Sequence, residues 1–180
     1  LPTPEIARTS SEVVYQNRWM RVREDRILRA DGSPGIYGVV EKPDFAVIAA
    51  VEDGCVHLVE QYRYPVGARL WELPQGSWEQ SGTDPLVLAA AELREETGLT
   101  ARAMTHVGRL LLACGYSSQG YDIFFATDLE QRGTRLDPEE QGLVSRAFPL
   151  AEFERMIGRG VIQDATTVAA FGLLRLRGLL

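Results

Sequence analysis

Hydrophobic and polar positions alternate with a two-residue period through the first part of the chain. From Trp19 to Ile27, Met20 and Val22 are set against Arg21 and Arg23, which predicts a strand with one wet face. Val13-Val14-Tyr15 predicts a shorter strand before it, and residues 1–11, polar and Pro-containing, predict loose chain. Asp31-Gly32-Ser33-Pro34-Gly35 reads as a turn, so Trp19–Ile27 and Ile36–Glu41 are expected to form a hairpin. Phe45–Val51 is a continuous apolar run and predicts a buried strand; the Asp53-Gly54 turn then leads into a strand over Val56–Tyr62.

The period changes after Gly82. Asp84 suits a helix N-cap, Pro85 the first helical position and Gly98 the position just past the end, which predicts a helix between them. Further strands are expected over Ala103–Leu112, Tyr121–Asp128 and Val144–Phe148, with short extended chain at Trp71–Pro74. Helices are expected over Leu150–Ile157 and, capped by Asp164, over Ala165–Leu176. Gln131–Gly142 reads as an acidic loop. Irregular alternation of strands and helices predicts an α/β (α+β) fold, a mixed sheet sandwiched between helices.

Composition narrows the function classes. The 180 residues are 45% hydrophobic and 24% charged, as expected for a globular protein with a substantial core. A net charge of −6 argues against coating nucleic acid. The first residues lack the long apolar region of a signal peptide, and Phe45–Val51 is too short to span a bilayer, so no membrane role is expected. Cys55 and Cys114 form no framework of disulfides, which favours a reducing compartment and a cytoplasmic location.

The 84–98 helix carries the candidate chemistry. Glu92, Glu95 and Glu96 stand at i, i+3 and i+4, so their like charges share one sector of the helix and repel. A hard divalent cation such as Mg²⁺ or Mn²⁺ would reverse that cost, since carboxylate oxygens are its ligands. The competing reading is a solvated acidic helix face.

Glu92-Leu93-Arg94-Glu95-Glu96-Thr97-Gly98-Leu99, approached from Gly76, resembles the Nudix box. Every position of the terminal segment of that motif is matched except the first, where the arginine is Ala91. The segment from Gly76 is also one residue longer than the pattern, which moves the first box glutamate off register and leaves Glu79 as its substitute. Glu60-Gln61-Tyr62-Arg63, Glu72-Leu73-Pro74-Gln75-Gly76 and Asp164-Ala165-Thr166-Thr167 extend the resemblance to the ADP-ribose pyrophosphatase branch, from about Val13 onwards.

The resemblance implies metal-dependent attack of water on the diphosphate of a nucleoside diphosphate sugar, with ADP-ribose as the lead substrate. It implies metal ligation by Glu92, Glu96, Glu95 and the backbone carbonyl of Gln75, with Glu95 also counted in the catalytic set. A general base is implied on the late loop, Glu140 first and Glu139 second. Arg63 is implied to pair with the diphosphate, Glu72 to bond substrate or a metal-held water, and Trp19 and Tyr37 to stack on the base. The alternative for Glu72 is an ion pair with Arg69. Gly115-Tyr116-Ser117-Ser118-Gln119-Gly120 occupies the place of a Ser-Pro-Gly signature; it lacks the proline, and Ser118 is its candidate contact. The resemblance also implies a homodimer that exchanges the strands of residues 1–40, burying Trp19 and Val22, with the hydrolase domain over residues 41–180. Ala91 and the altered loop leave open a non-catalytic nucleotide-binding or regulatory module, or action on another sugar or dinucleoside diphosphate. His57 is expected to be structural, and neither it nor His106 has an assigned role.

Overall fold

The computed structural model describes residues 5–77, 82–133 and 142–180. The chain divides into two compact units. One is Leu1–Asp44 with Leu111–Gly120; the other is Phe45–Leu110 with Tyr121–Leu180.

The smaller unit is an antiparallel sheet of β1 (Ile6–Gln16), β2 (Arg21–Arg29) and β3 (Pro34–Glu41) in that order. The expected hairpin is present, in a register from Arg21 opposite Glu41 to Leu28 opposite Pro34. The expectation of loose chain fails at Ile6–Ser11, which pairs with β2 from Arg29 to Asp25. A polar composition does not prevent a strand when a neighbour supplies its backbone partners, and every residue of β1 is exposed. The 111–120 segment ties to β3 through Val40 N–H to the Tyr116 carbonyl (2.8 Å) and the Ser117 hydroxyl to the Val40 carbonyl (2.7 Å).

The larger unit is built on a mixed sheet. Its main path runs β10 (Val144–Pro149), β5 (Cys55–Arg63), β4 (Phe45–Glu52), β9 (Gly120–Gln131), β8 (Leu99–Leu111). Two short strands join it: β6 (Ala68–Glu72) pairs with β5, and β7 (Gln75–Gly76) pairs with β4. β4 and β9 run parallel from Phe45 opposite Tyr121 to Ala50 opposite Ala126, while β5, β6 and β7 are antiparallel to their partners. Gly120 N–H bonds the Asp44 carboxylate at 2.7 Å, and Leu129 N–H lies 3.2 Å from the Glu52 carboxylate.

Strand β4 is apolar on both faces because both are covered. Val47 and Ala49 join a core with Phe153 and Met156 of α2 (Leu150–Gly158) and Ala170 and Leu174 of α3 (Ala165–Leu176). Ala46, Ile48 and Ala50 join a second core with Leu88, Ala89 and Leu93 of α1 (Pro85–Thr97). The expected sandwich is therefore found, with α1 on one face and α2 and α3 on the other. Phe153 packs edge-on to Phe171 at 5.3 Å, and Trp71 edge-on to Phe148 at 4.9 Å. No helix among the described residues is long and apolar enough to cross a membrane.

Helix α1 begins and ends as its sequence demands. The Asp84 carboxylate accepts from Leu86 N–H at 2.9 Å and Pro85 opens the helix. Gly98 closes it in the left-handed region, φ 73°, and its N–H bonds the Arg94 carbonyl at 2.9 Å. Replacing Gly98 with alanine is expected to cost about 1 kcal/mol, because a Cβ is strained there. Urea denaturation measures it, and an unchanged midpoint would contradict the assignment.

Candidate active site

The end of α1 meets the main chain of β7. The hydrophobic face of α1 (Leu88, Ala89, Leu93) lies on the sheet, and that orientation turns Glu92 and Glu96 inward. Glu96 is 1% exposed and Glu92 5%. Gln75 N–H donates to Glu96 Oε2 at 2.9 Å. A Cβ on Gly76 would collide with the Glu92 carboxylate, so only glycine leaves that carboxylate where it lies. Glu95 is half-buried, and among the described residues no three acidic, histidine or cysteine side chains group tightly enough to hold a metal ion as they stand. The donors that do converge are all oxygens, the chemistry that a hard divalent cation takes.

A second cluster lies against the same main chain. Arg63 donates to Glu72 twice, Nε to Oε1 at 2.9 Å and Nη2 to Oε2 at 2.7 Å. Glu72 is 1% exposed. Its other bond comes from Gln75 Nε2, at 2.5 Å. Arg69, the alternative partner, pairs with Glu60. Burial raises the Glu72 pKa above its ordinary value, with the Arg63 guanidinium pulling against it. Burial also works against the Arg63 charge, but the bonds and charge of Glu72 more than offset it and hold Arg63 above its ordinary value. Asp164, the α3 cap, accepts from Thr167 N–H (2.8 Å) and the Thr167 hydroxyl (2.7 Å), which in turn accepts from Leu73 N–H (2.9 Å).

Within the smaller unit, Trp19 and Ser118 line an open cleft of about 470 Å³ together with Asn17, Arg18, Glu41 and Lys42. Trp19 is half-exposed, with the Arg18 guanidinium 5.1 Å over its ring. The Asn17 side chain fixes this corner by accepting from the N–H groups of Trp19 and Met20, both at 2.9 Å. Arg21 and then Arg23 hold the Glu41 carboxyl below its ordinary value. Tyr37 turns its phenol to the Gly115 carbonyl at 3.0 Å. Glu139 and Glu140, the expected bases, and Glu79 lie outside the described residues.

Residues 41–171 match the NUDIX domain. The chain belongs to the NUDIX family. Residues 7–40 match the nucleoside diphosphate sugar hydrolase N-terminal domain. An ADP-ribose pyrophosphatase of Mycobacterium tuberculosis is 34% identical over 162 residues, which cover 89% of this chain and 78% of that protein. One of Bacillus subtilis is 24% identical over 170 residues, 93% of this chain and 91% of that protein. A crystal structure of an ADP compounds hydrolase superposes with a TM-score of 0.86 at 22% identity, over 98% of each chain, and shares the fold. The protein is thus a Nudix hydrolase of the ADP-ribose pyrophosphatase-like branch.

This Nudix hydrolase brings Glu92, Glu96, Gln75, Arg63 and Glu72 together around Leu73–Gly76, while Trp19, Tyr37 and Ser118 belong to the other compact unit. The sequence pointed to Asp164 as a cap, to Gln75 through its carbonyl and to Asp164–Thr167 as part of the resemblance, but the link between the Gln75 side chain and Thr166 was missed. Glutamine carries no periodic or charge signal, and its role depends on a partner 91 residues away. His106 faces Asp122, with Nε2 and Oδ1 2.8 Å apart, and burial lowers the His57 pKa.

Arg63→Ala should destabilise this Nudix hydrolase by on the order of 3 kcal/mol, since it strands a buried carboxylate. Adding Glu72→Gln should recover much of the loss, because a neutral amide tolerates burial better. Urea denaturation of both variants checks this; equal losses would show that the pair does not couple.

Proposed function

We propose that this Nudix hydrolase cleaves the diphosphate of a nucleoside diphosphate sugar, with ADP-ribose the lead substrate, in the presence of Mg²⁺ or Mn²⁺. The observation that carries the reading is the pair of buried carboxylates, Glu92 and Glu96, seated against Gly76 and the Gln75 N–H. Two anions buried one turn apart are costly without a cation. The 34% identical relative is an ADP-ribose pyrophosphatase, which supports the substrate class.

Glu92, Glu96 and the Gln75 carbonyl would hold the cation, with Glu95 at the rim. When bound, it supplies Lewis acidity toward the diphosphate and acidifies the attacking water. Arg63 offers a guanidinium, part of it exposed at 38%, to diphosphate oxygens, and Glu72 fixes its fork from behind. Trp19, with Ser118 in the same cleft, offers a flat half-exposed ring on which a base can stack. Tyr37 stands as a second aromatic of that unit. Glu140 takes the part of general base and Glu139 is second. The unpaired Cys55 and Cys114 suit a reducing compartment such as the cytoplasm.

The protein works as a homodimer in this reading. Ile6, Val13, Val14, Tyr15, Leu28 and Ile36 are all exposed, distributed over the two faces of the three-stranded sheet, and are apolar side chains that a second copy would cover.

The central test is a panel of nucleoside diphosphate substrates with Mg²⁺ or Mn²⁺. Wild type should release a nucleoside monophosphate, and Glu96→Gln should lose several kcal/mol of transition-state stabilisation, read from kcat/KM. Gly76→Ala should keep most of its stability, because the carboxylate it strikes is the end of a flexible side chain. Its kcat/KM should nevertheless fall about a hundredfold, as expected for a displaced site group. Tight binding without turnover would favour a regulatory nucleotide binder instead. Deleting residues 1–40 should give an inactive monomer by light scattering; a truncated dimer with full turnover would refute the dimer.

A further inference from the structure

We propose that the Gln75 side chain is a positioning residue that couples the N-terminus of α3 to the Glu96 carboxylate. The proposal rests on the metal-site reading given above for Glu92, Glu96 and the Gln75 carbonyl.

Gln75 is the only residue of β7 besides Gly76, so it has little strand around it to fix its peptide. Its main-chain N–H nevertheless has a demanding task, holding Glu96 Oε2 at 2.9 Å. The side chain of the same residue is anchored at both ends of its amide. Nε2 reaches Glu72 Oε2 at 2.5 Å and Asp164 Oδ2 at 3.3 Å, while Oε1 accepts from the Thr166 hydroxyl at 2.8 Å. Two carboxylates on one side and a hydroxyl on the other fix which way the amide faces, because the reversed amide would set an oxygen against two anions.

The Thr166 hydroxyl also lies 2.5 Å from Asp164 Oδ2, and its single proton serves one acceptor at a time. Asp164 already accepts from the Thr167 amide and hydroxyl, so the helix cap survives when Thr166 turns to Gln75. Leu73 N–H on the Thr167 hydroxyl adds a second fastening two residues upstream, and Ile48 N–H on the Pro74 carbonyl (2.9 Å) adds a third. The Leu73–Gly76 main chain is thereby set from three directions: β4, α3 and, through Glu96, α1. Partners of this kind behind a ligand fix its direction and tune its affinity. Alanine at position 75 would leave the backbone donor in place and remove only the anchor, so the anchor can be tested alone.

The test uses Thr166→Val, Thr166→Ser, Gln75→Ala and the Gln75→Ala/Thr166→Val double variant, all confirmed folded by thermal melting. Mn²⁺ binding is measured by electron paramagnetic resonance, and exchange of the Gln75 amide proton by NMR on the metal-free protein. Thr166→Val and Gln75→Ala should each weaken Mn²⁺ roughly tenfold. The double variant should be no worse than either single one, because both remove the same link. In the metal-free protein, the residue-75 amide should exchange faster in all three. Thr166→Ser, which keeps the hydroxyl, should behave as wild type. Unchanged Mn²⁺ affinity with unchanged amide exchange, or losses that add in the double variant, would overturn the proposal. Wild type that binds no Mn²⁺ would sink the metal reading alone; the amide exchange then decides the coupling by itself.

Discussion

Two carboxylates one turn apart on α1 are buried against the main chain of Gln75 and Gly76, and much of the larger unit can be read as the means of keeping them there. Like charges so placed push a helix apart and resist leaving water. The opposing forces are ordinary ones. Leu88, Ala89 and Leu93 flank the glutamates on the same face of α1 and bury it on β4 and β9, each large side chain being worth about 1.5–3 kcal/mol. Asp84 and Gly98 hold the two ends of the helix. The glutamates are carried inward by an apolar face that cannot turn without exposing itself. Packing thus helps to keep two like charges turned inward, and the Gln75 N–H meets one of them.

The same trade recurs three residues before Gln75. Glu72 is buried at the cost of a raised pKa, and its bidentate Arg63 leaves part of the guanidinium facing outward. An arginine held by a carboxylate behind it spends less freedom in meeting an anion in front. Gln75 joins this pair to Asp164 and to Glu96, so the two charged clusters share one short piece of backbone.

Legibility in the sequence followed how local each determinant is. The helix 85–97 could be read because its cap, its proline, its closing glycine and its apolar spacing lie within one short segment. The hairpin of β2 and β3 could be read from its turn. β1 could not be read beyond Val13–Tyr15, because Ile6–Ser11 owes its conformation to β2 and has no apolar face of its own. Glu92, Glu95 and Glu96 were visible through the box motif. The pairing of Glu72 with Arg63 rather than Arg69 was not, since it depends on the β5–β6 register, which sets Arg63 on the face of Glu72 and Arg69 on the opposite face with Glu60. The contact of Thr166 with Gln75 was invisible for a simpler reason: its partner is far away in sequence and next to it in space.

Strand β4 has a further consequence. With both faces dry, its side chains carry no inside–outside code, and sliding it by one residue against β9 would exchange one apolar surface for another. What marks its place lies at its margins. Asp44 takes the amide of Gly120 where the parallel pair begins, and Glu52 meets the amide of Leu129 where it ends. These two acids are the punctuation of an otherwise unpunctuated strand, and they fix the alignment that the hydrophobic effect alone would leave ambiguous.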